Sequence, residues 1–117
     1  QLKPRETPWG ELKDQIHYMN VDGTTGKWVE THTYGGKLAE NITQAVARDI
    51  LAEAILRCED FGFPVVLHVH DEVVVEMPER HAKIYEQVVF DKVKQVPSWC
   101  PGLPIAVEGW RGRRYRK

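Results

Sequence analysis

Residues 64–77, PVVLHVHDEVVVEM, constrain the fold of this chain more than any other stretch. Two runs rich in valine favour strands at 64–69 and 72–77, and only His70 and Asp71 lie between them. The connection is therefore a tight hairpin or a nearly continuous strand. Burying an unpaired carboxylate is costly, so Asp71 and Glu72 must find water, a cation or several hydrogen-bond donors.

The remaining pattern predicts two helices and further strands. Residues 1–13 carry two prolines and read as an irregular lead-in, and residues 14–33 predict a hairpin around VDGTTG. A helix is expected over about 37–60, and Gly62 would end it. A second helix is predicted over 79–95 and a short last strand over 103–109. The first helix takes its period from Leu38, Ile42, Val46, Ile50, Leu51, Ala54, Ile55 and Cys58, which are expected to face the core.

This order of elements indicates an α+β fold, with an antiparallel sheet and both helices packed on one face. The 117 residues fit one domain or a piece of a larger one, and no apolar run is long enough to span a bilayer. No segment has the pattern of a signal peptide. Two widely separated cysteines predict a reducing, cytoplasmic location and give no metal motif.

Two groups of polar residues could contact nucleic acid, although the net charge of −1 provides no overall attraction. The C-terminus, GWRGRRYRK, includes Arg113 and Arg114 beside aromatic residues. It can bind phosphate or can be a solvated terminus. A polar stripe on the first helix is either a solvated face or a row of donors reaching into a groove. The stripe comprises Lys37, Asn41, Gln44 and Arg48.

Three interpretations compete for the stretch HVHDE. Asp71 and Glu72 could be surface charges at a turn. His68 and His70, after Gly62, could instead form half of a cupin-like metal site, but Glu76 follows one position too late and a helix replaces the expected strands. The third interpretation makes Asp71 a ligand of divalent cations at a hairpin tip, where hard oxygen ligands suit Mg²⁺. Two such ions can activate a 3′-hydroxyl and stabilise a departing pyrophosphate.

The stretch LHVHDEVVVE resembles the histidine-aspartate-glutamate motif in the palm of A-family DNA polymerases. The preceding TYGGKLAENITQAVARDILAEAIL resembles the helix before that motif in phage- and prophage-type members, and WCPGLPIAVEGWRGRRYRK resembles their C-terminus. The resemblance extends from about Tyr18 to Lys117. It implies that residues 34–117 are the C-terminal palm region, preceded by a lead-in and hairpin at 1–33.

The resemblance assigns roles to individual residues. Asp71 would be the catalytic metal ligand, Glu72 the accompanying carboxylate, and His70 a neighbour of the primer-terminal phosphate or sugar. Gln44 would contact the minor-groove edge of the primer-template end, where acceptors occur in every base pair. Weaker DNA-binding candidates are Asn41 and Arg48, and the phosphate contacts would come from Lys37, Arg113 and Arg114.

The resemblance also implies partners that this chain lacks. The family's second catalytic aspartate and its fingers helix have no counterpart in residues 1–33, so a two-Mg²⁺ site would be completed by an aspartate from the N-terminal part of the polymerase. Primer-template DNA and dNTPs would bind the full enzyme, while the isolated chain would be inactive and prone to self-association. The alternative functions are a non-catalytic DNA-binding or assembly module and a prophage remnant that keeps the palm shape.

Overall fold

The computed structural model describes residues 1–116 and confirms the α+β class. The chain divides into a unit of Gln1–Gln44 and a second unit that begins at Ala45. The strands are β1 (Leu2–Glu6), β2 (Leu12–Val21), β3 (Trp28–Thr33), β4 (Val65–Val69) and β5 (Glu72–Val75); the helices are α1 (Gly35–Phe61) and α2 (Glu79–Lys94). They form one three-stranded and one two-stranded sheet, where the sequence suggested a single sheet.

The first unit contains an antiparallel sheet in the order β1-β2-β3. The predicted hairpin at 14–33 is confirmed, and the Asp22 carboxylate accepts hydrogen bonds from the amides of Thr24 and Thr25 in its turn. These amides, that of Thr25 first, lower the pKa of Asp22. The expectation of an irregular lead-in is wrong, because β1 pairs with β2. Pro4 is tolerated since β1 is an edge strand.

The second unit has a small apolar core. Among the described residues, the buried apolar side chains are Leu51, Ala54, Cys58 and Phe63. The Phe63 ring lies 4.9 Å from that of Phe61 and 5.8 Å from that of Tyr85, measured between centroids. These contacts join the end of α1 to α2. Since so few apolar side chains are buried, each carries a large share of the stability.

The first half of α1 does not bury its apolar stripe, contrary to the expectation from periodicity. Leu38 is 38% exposed, Ile42 65% and Val46 37%, whereas Leu51, Ala54 and Cys58 are buried further along. The periodicity correctly identified a helix with one apolar face. It could not show that this chain covers only part of that face.

Residues 103–109 belong to the described part of the chain but are not in a strand, so that prediction is wrong. Ile105 and Val107 are partly buried, in keeping with the alternating pattern. The backbone of Gly109 lies so close to Phe90 that a Cβ atom there would be 2.6 Å from Cε1 of the ring. At Gly109 this segment therefore packs against a side chain of α2, and it has no strand partner among the described residues.

The end of α1 has the hydrogen bonds of a Schellman motif. The amide of Gly62 donates to the carbonyl of Glu59, and the amide of Phe63 donates to that of Cys58, both at 2.9 Å. Gly62 has a φ of 96°, which lies in the left-handed region. The predicted helix end at Gly62 is confirmed. The Schellman motif also directs the chain so that Phe63 is buried in the core.

Replacing Gly62 by alanine is expected to destabilise the second unit by about 1 kcal/mol. A left-handed backbone costs an L-residue about 1–2 kcal/mol, and the lower freedom of the unfolded chain offsets part of this. A Cβ at Gly62 would meet no atom within 4 Å, so the backbone alone determines the effect. Urea unfolding measures the change. Gly35→Ala is the control, since its φ is not in the left-handed region and its Cβ also has space; a loss as large there would contradict the explanation.

Candidate functional site

The predicted hairpin forms the centre of the candidate site. Strands β4 and β5 are antiparallel, with Val69 opposite Glu72 and His68 opposite Val73. Only His70 and Asp71 connect them, so the chain turns sharply here, as one of the two predicted alternatives required. A bulge at Val66 interrupts the register between Val65 and Leu67. Such an extra residue increases the local twist of the strand pair.

The turn uses a backbone conformation that few side chains tolerate. His70 has a φ of 52°, and it is the non-glycine residue with a positive φ among those described. Histidine is enriched in this region relative to most residues, yet glycine or asparagine would adopt it more readily. Strained conformations of this kind concentrate at functional sites. The backbone of the turn, like its charge, is therefore typical of a functional site.

Asp71 and Glu72 are exposed at the hairpin tip, as is His70. The carboxylates are thus hydrated, and they avoid the free-energy cost of burying an unpaired charge. Two adjacent carboxylates supply hard oxygen ligands of the kind that Mg²⁺ prefers. Within residues 1–116, no three histidine, cysteine or acidic side chains are grouped closely enough to hold a metal ion. These residues fit part of an Mg²⁺ coordination shell, and further ligands would have to come from elsewhere.

Different side chains contact the two faces of the hairpin. Paired residues of antiparallel strands share a face, so His68 and Glu72 point to opposite faces. On the His68 face, Nη1 of Arg48 is 3.5 Å from Nδ1 of His68. This contact links α1 to the hairpin, so Arg48 lies next to the candidate site. On the other face, the hydroxyl of Tyr115 donates a hydrogen bond of 3.0 Å to Oε2 of Glu72.

The basic C-terminus makes several contacts in the second unit. Arg113 pairs with Glu79 at 3.0 Å, and Arg111 approaches Glu86 at 3.8 Å, both on α2. Arg116 stacks on the Trp110 ring at 5.1 Å from its centroid. Arg114 is exposed. With Trp110, the arginines at 113, 114 and 116 line a shallow groove of about 300 Å³.

Sequence reasoning missed the contact between Tyr115 and Glu72. Its hydrogen bond to Glu72 and the negative charge of that carboxylate raise the pKa of the Tyr115 phenol. The two residues are 43 positions apart, so no local pattern connects them. The available signal was an aromatic residue among the arginines of GWRGRRYRK.

The other predicted DNA contacts lie in the first unit. Lys37, Asn41 and Gln44 are exposed on the first turns of α1. Their exposure leaves them accessible to a ligand, and their role stays a prediction. The cupin-like alternative is wrong, because His70 lies in the turn and not on the strand that carries His68. Among the described residues, no helix is both long and apolar enough to cross a membrane.

Comparisons with known proteins relate the chain to a DNA polymerase. It is 41% identical over 97 residues to the DNA polymerase of Bacillus phage SP02, a match that covers 80% of this chain and 14% of the polymerase. It is also 36% identical over 86 residues to a protein of Archaeoglobus fulgidus named "Probable translation initiation factor IF-2", covering 74% of this chain and 13% of that protein. The chain thus spans about one-seventh of the length of each relative. No family model matches it, and no solved structure matches it.

Proposed function

We propose that this chain is the C-terminal palm region of an A-family DNA polymerase and contributes to template-directed addition of dNTPs to a primer 3′ end. The observation that carries this proposal is the presentation of Asp71 at an exposed two-residue turn between paired strands. The similarity to the phage polymerase supports it. The histidine-aspartate-glutamate motif favours this function over the one named for the archaeal relative.

In the proposed mechanism, Asp71 would hold Mg²⁺ and Glu72 would support it. When bound there, the ion would supply Lewis-acid chemistry at the phosphoryl group and the primer hydroxyl. An exposed tip leaves space for a hydrated ion and a primer end, which a sealed carboxylate would not. An aspartate from the rest of the polymerase would complete the ion site, since the described residues offer too few ligands together. His70 contacts the primer terminus from the same turn.

DNA contacts are proposed on both units. Gln44 contacts the minor-groove edge of the last base pair, with Asn41 beside it on the exposed turns of α1. Lys37 and Arg114 neutralise phosphates, and their exposure keeps this interaction sensitive to salt. Arg113 already pairs with Glu79, but both side chains are largely exposed, at 86% and 76%. Such an exposed ion pair contributes little to stability. Arg113 can therefore leave Glu79 and bind a phosphate instead.

The rest of the polymerase is the proposed partner of the uncovered apolar surface. Ile42, 65% exposed, and Trp9, 87% exposed, are large apolar side chains left in water. In the isolated chain the same surface favours self-association. We place the assembled enzyme in the cytoplasm.

A hybrid enzyme tests this function. The segment of the phage polymerase that matches this chain is replaced by this chain, and primer extension is measured with Mg²⁺ and dNTPs. The hybrid is expected to incorporate nucleotides, whereas the 117-residue chain alone is expected to incorporate none. A folded hybrid without activity would contradict the proposal.

The control hybrid carries the same segment in scrambled order and should be inactive. A non-catalytic DNA-binding module would give a different result. The chain alone would then bind primer-template with a steep salt dependence, lost on truncation of residues 111–117, while the hybrid would not extend primers.

A further inference from the structure

We propose that Tyr115 is a positioning residue, whose hydroxyl holds the Glu72 carboxylate in place beside Asp71. The inference rests on the proposed function, because it assigns a role to Glu72 in binding the cation. It adds the C-terminal segment to the site, although no atom of that segment needs to touch the metal. Three observations carry it.

The first is the hydrogen bond itself. The Tyr115 hydroxyl donates to Oε2 of Glu72 at 3.0 Å. A carboxylate has a second oxygen, so Oε1 could still bind a cation while this hydrogen bond is made. Glutamate has three rotatable side-chain bonds, and an exposed one samples many rotamers at the tip of a hairpin. A phenol has only two such bonds, so it is the more rigid partner. A donor to a charged acceptor makes one of the stronger hydrogen bonds available on a surface.

The second observation is the path of the segment before Tyr115. Gly109 packs against Phe90, Arg111 approaches Glu86 and Arg113 pairs with Glu79. The contacts therefore run backwards along α2. Along α2, the eleven-residue step from Phe90 to Glu79 spans about 16 Å. The four-residue step from Gly109 to Arg113 spans about 14 Å if that segment is extended, so the two lengths match. The segment ends near the start of α2, and three residues separate the end of β5 from α2.

The third observation is the division of contacts between the two faces of the hairpin. Arg48 contacts His68 on one face, and Tyr115 contacts Glu72 on the other. A two-stranded hairpin is marginally stable by itself and gains order from packing on both faces. The C-terminal segment therefore orders the face on which Glu72 lies.

The contact is tested first in the 117-residue chain by NMR. Nuclear Overhauser effects are expected between the ring protons of Tyr115 and the Glu72 side chain. Added Mn²⁺ should broaden the amide signals of Asp71 and Glu72. Tyr115→Phe should weaken the apparent Mn²⁺ affinity about threefold to tenfold, in line with the loss of one hydrogen bond to a charged group. Tyr85→Phe is the matched control and should change the apparent Mn²⁺ affinity by less than about twofold.

The second readout is the active hybrid polymerase. Tyr115→Phe should raise the Mg²⁺ concentration for half-maximal rate by about the same factor, and should leave the KM for dNTP nearly unchanged. In a Glu72→Gln background, Tyr115→Phe should have no further effect on the Mg²⁺ requirement. A residue that only stabilised the fold would act equally in both backgrounds.

The outcomes separate this inference from the proposed function. An active hybrid in which Tyr115→Phe leaves or lowers the Mg²⁺ requirement would overturn the positioning role and keep the polymerase assignment. A folded but inactive hybrid would overturn the polymerase assignment. The Mn²⁺ titration of the chain would then still report whether Tyr115 positions Glu72.

Discussion

Asp71→Ala in the hybrid polymerase is expected to lower the rate of nucleotide incorporation by about a thousandfold or more. Removing a metal-binding carboxylate costs several kcal/mol of transition-state stabilisation, and each 1.36 kcal/mol is a factor of ten in rate. Asp71 is exposed, so the substitution leaves no cavity and the fold should persist. Single-turnover primer extension at saturating dNTP measures the change.

Two further variants make the result specific. Glu72→Gln should lower the rate of incorporation less, by about tenfold, because Glu72 is proposed to support the metal and not to be its main ligand. Asp91→Ala removes an acidic residue from α2, where it accepts a hydrogen bond from Gln87, and should leave the rate within about twofold. An Asp71→Ala hybrid that keeps a tenth of its activity would show that the metal binds elsewhere.

Phe63→Ala should produce the largest loss of stability, about 3–5 kcal/mol. Phe63 is only 6% exposed, and its ring contacts Phe61 and Tyr85. It also follows Gly62 in the motif that ends α1. Alanine would therefore leave a cavity where α1 meets α2. Urea denaturation followed by near-ultraviolet circular dichroism measures the change, and loss of the cooperative transition would be the extreme form of the result.

The matched control is Phe61→Ala. This ring is 49% exposed and should contribute far less, about 1 kcal/mol. Equal losses for the two variants, or a loss below about 1 kcal/mol for Phe63→Ala, would contradict a small core that depends on Phe63.

The elements predicted correctly were those whose pattern is local. The period of α1, the left-handed Gly62 and the turn-rich VDGTTG each identify their element within a few residues. Strand β1 was missed because proline is read as a strand breaker, although an edge strand tolerates it. The prediction of a strand at 103–109 was wrong: Ile105 and Val107 are partly buried in alternation, but the segment has no strand partner within residues 1–116 and Gly109 packs against Phe90 of α2. Sequence alternation reveals one buried face and cannot tell which element buries it.

The site was predictable in its charged tip and not in its surroundings. Two valine-rich runs separated by two residues predicted either a tight hairpin or a nearly continuous strand around Asp71, and the structure has the hairpin. The contacts of Arg48 with His68 and of Tyr115 with Glu72 join positions 20 and 43 residues apart. Such contacts depend on how the helices pack, which no local spacing encodes.

The backbone at His70 also limits what evolution can place at this position. With a φ of 52°, valine, isoleucine and threonine are excluded by steric clash, whatever chemistry they would offer. Natural variants at position 70 should therefore be drawn from glycine, asparagine, aspartate and histidine. If relatives keep histidine where glycine would fit the turn better, selection must favour the imidazole side chain. If histidine and glycine replace each other freely, selection must act only on the backbone conformation of the turn.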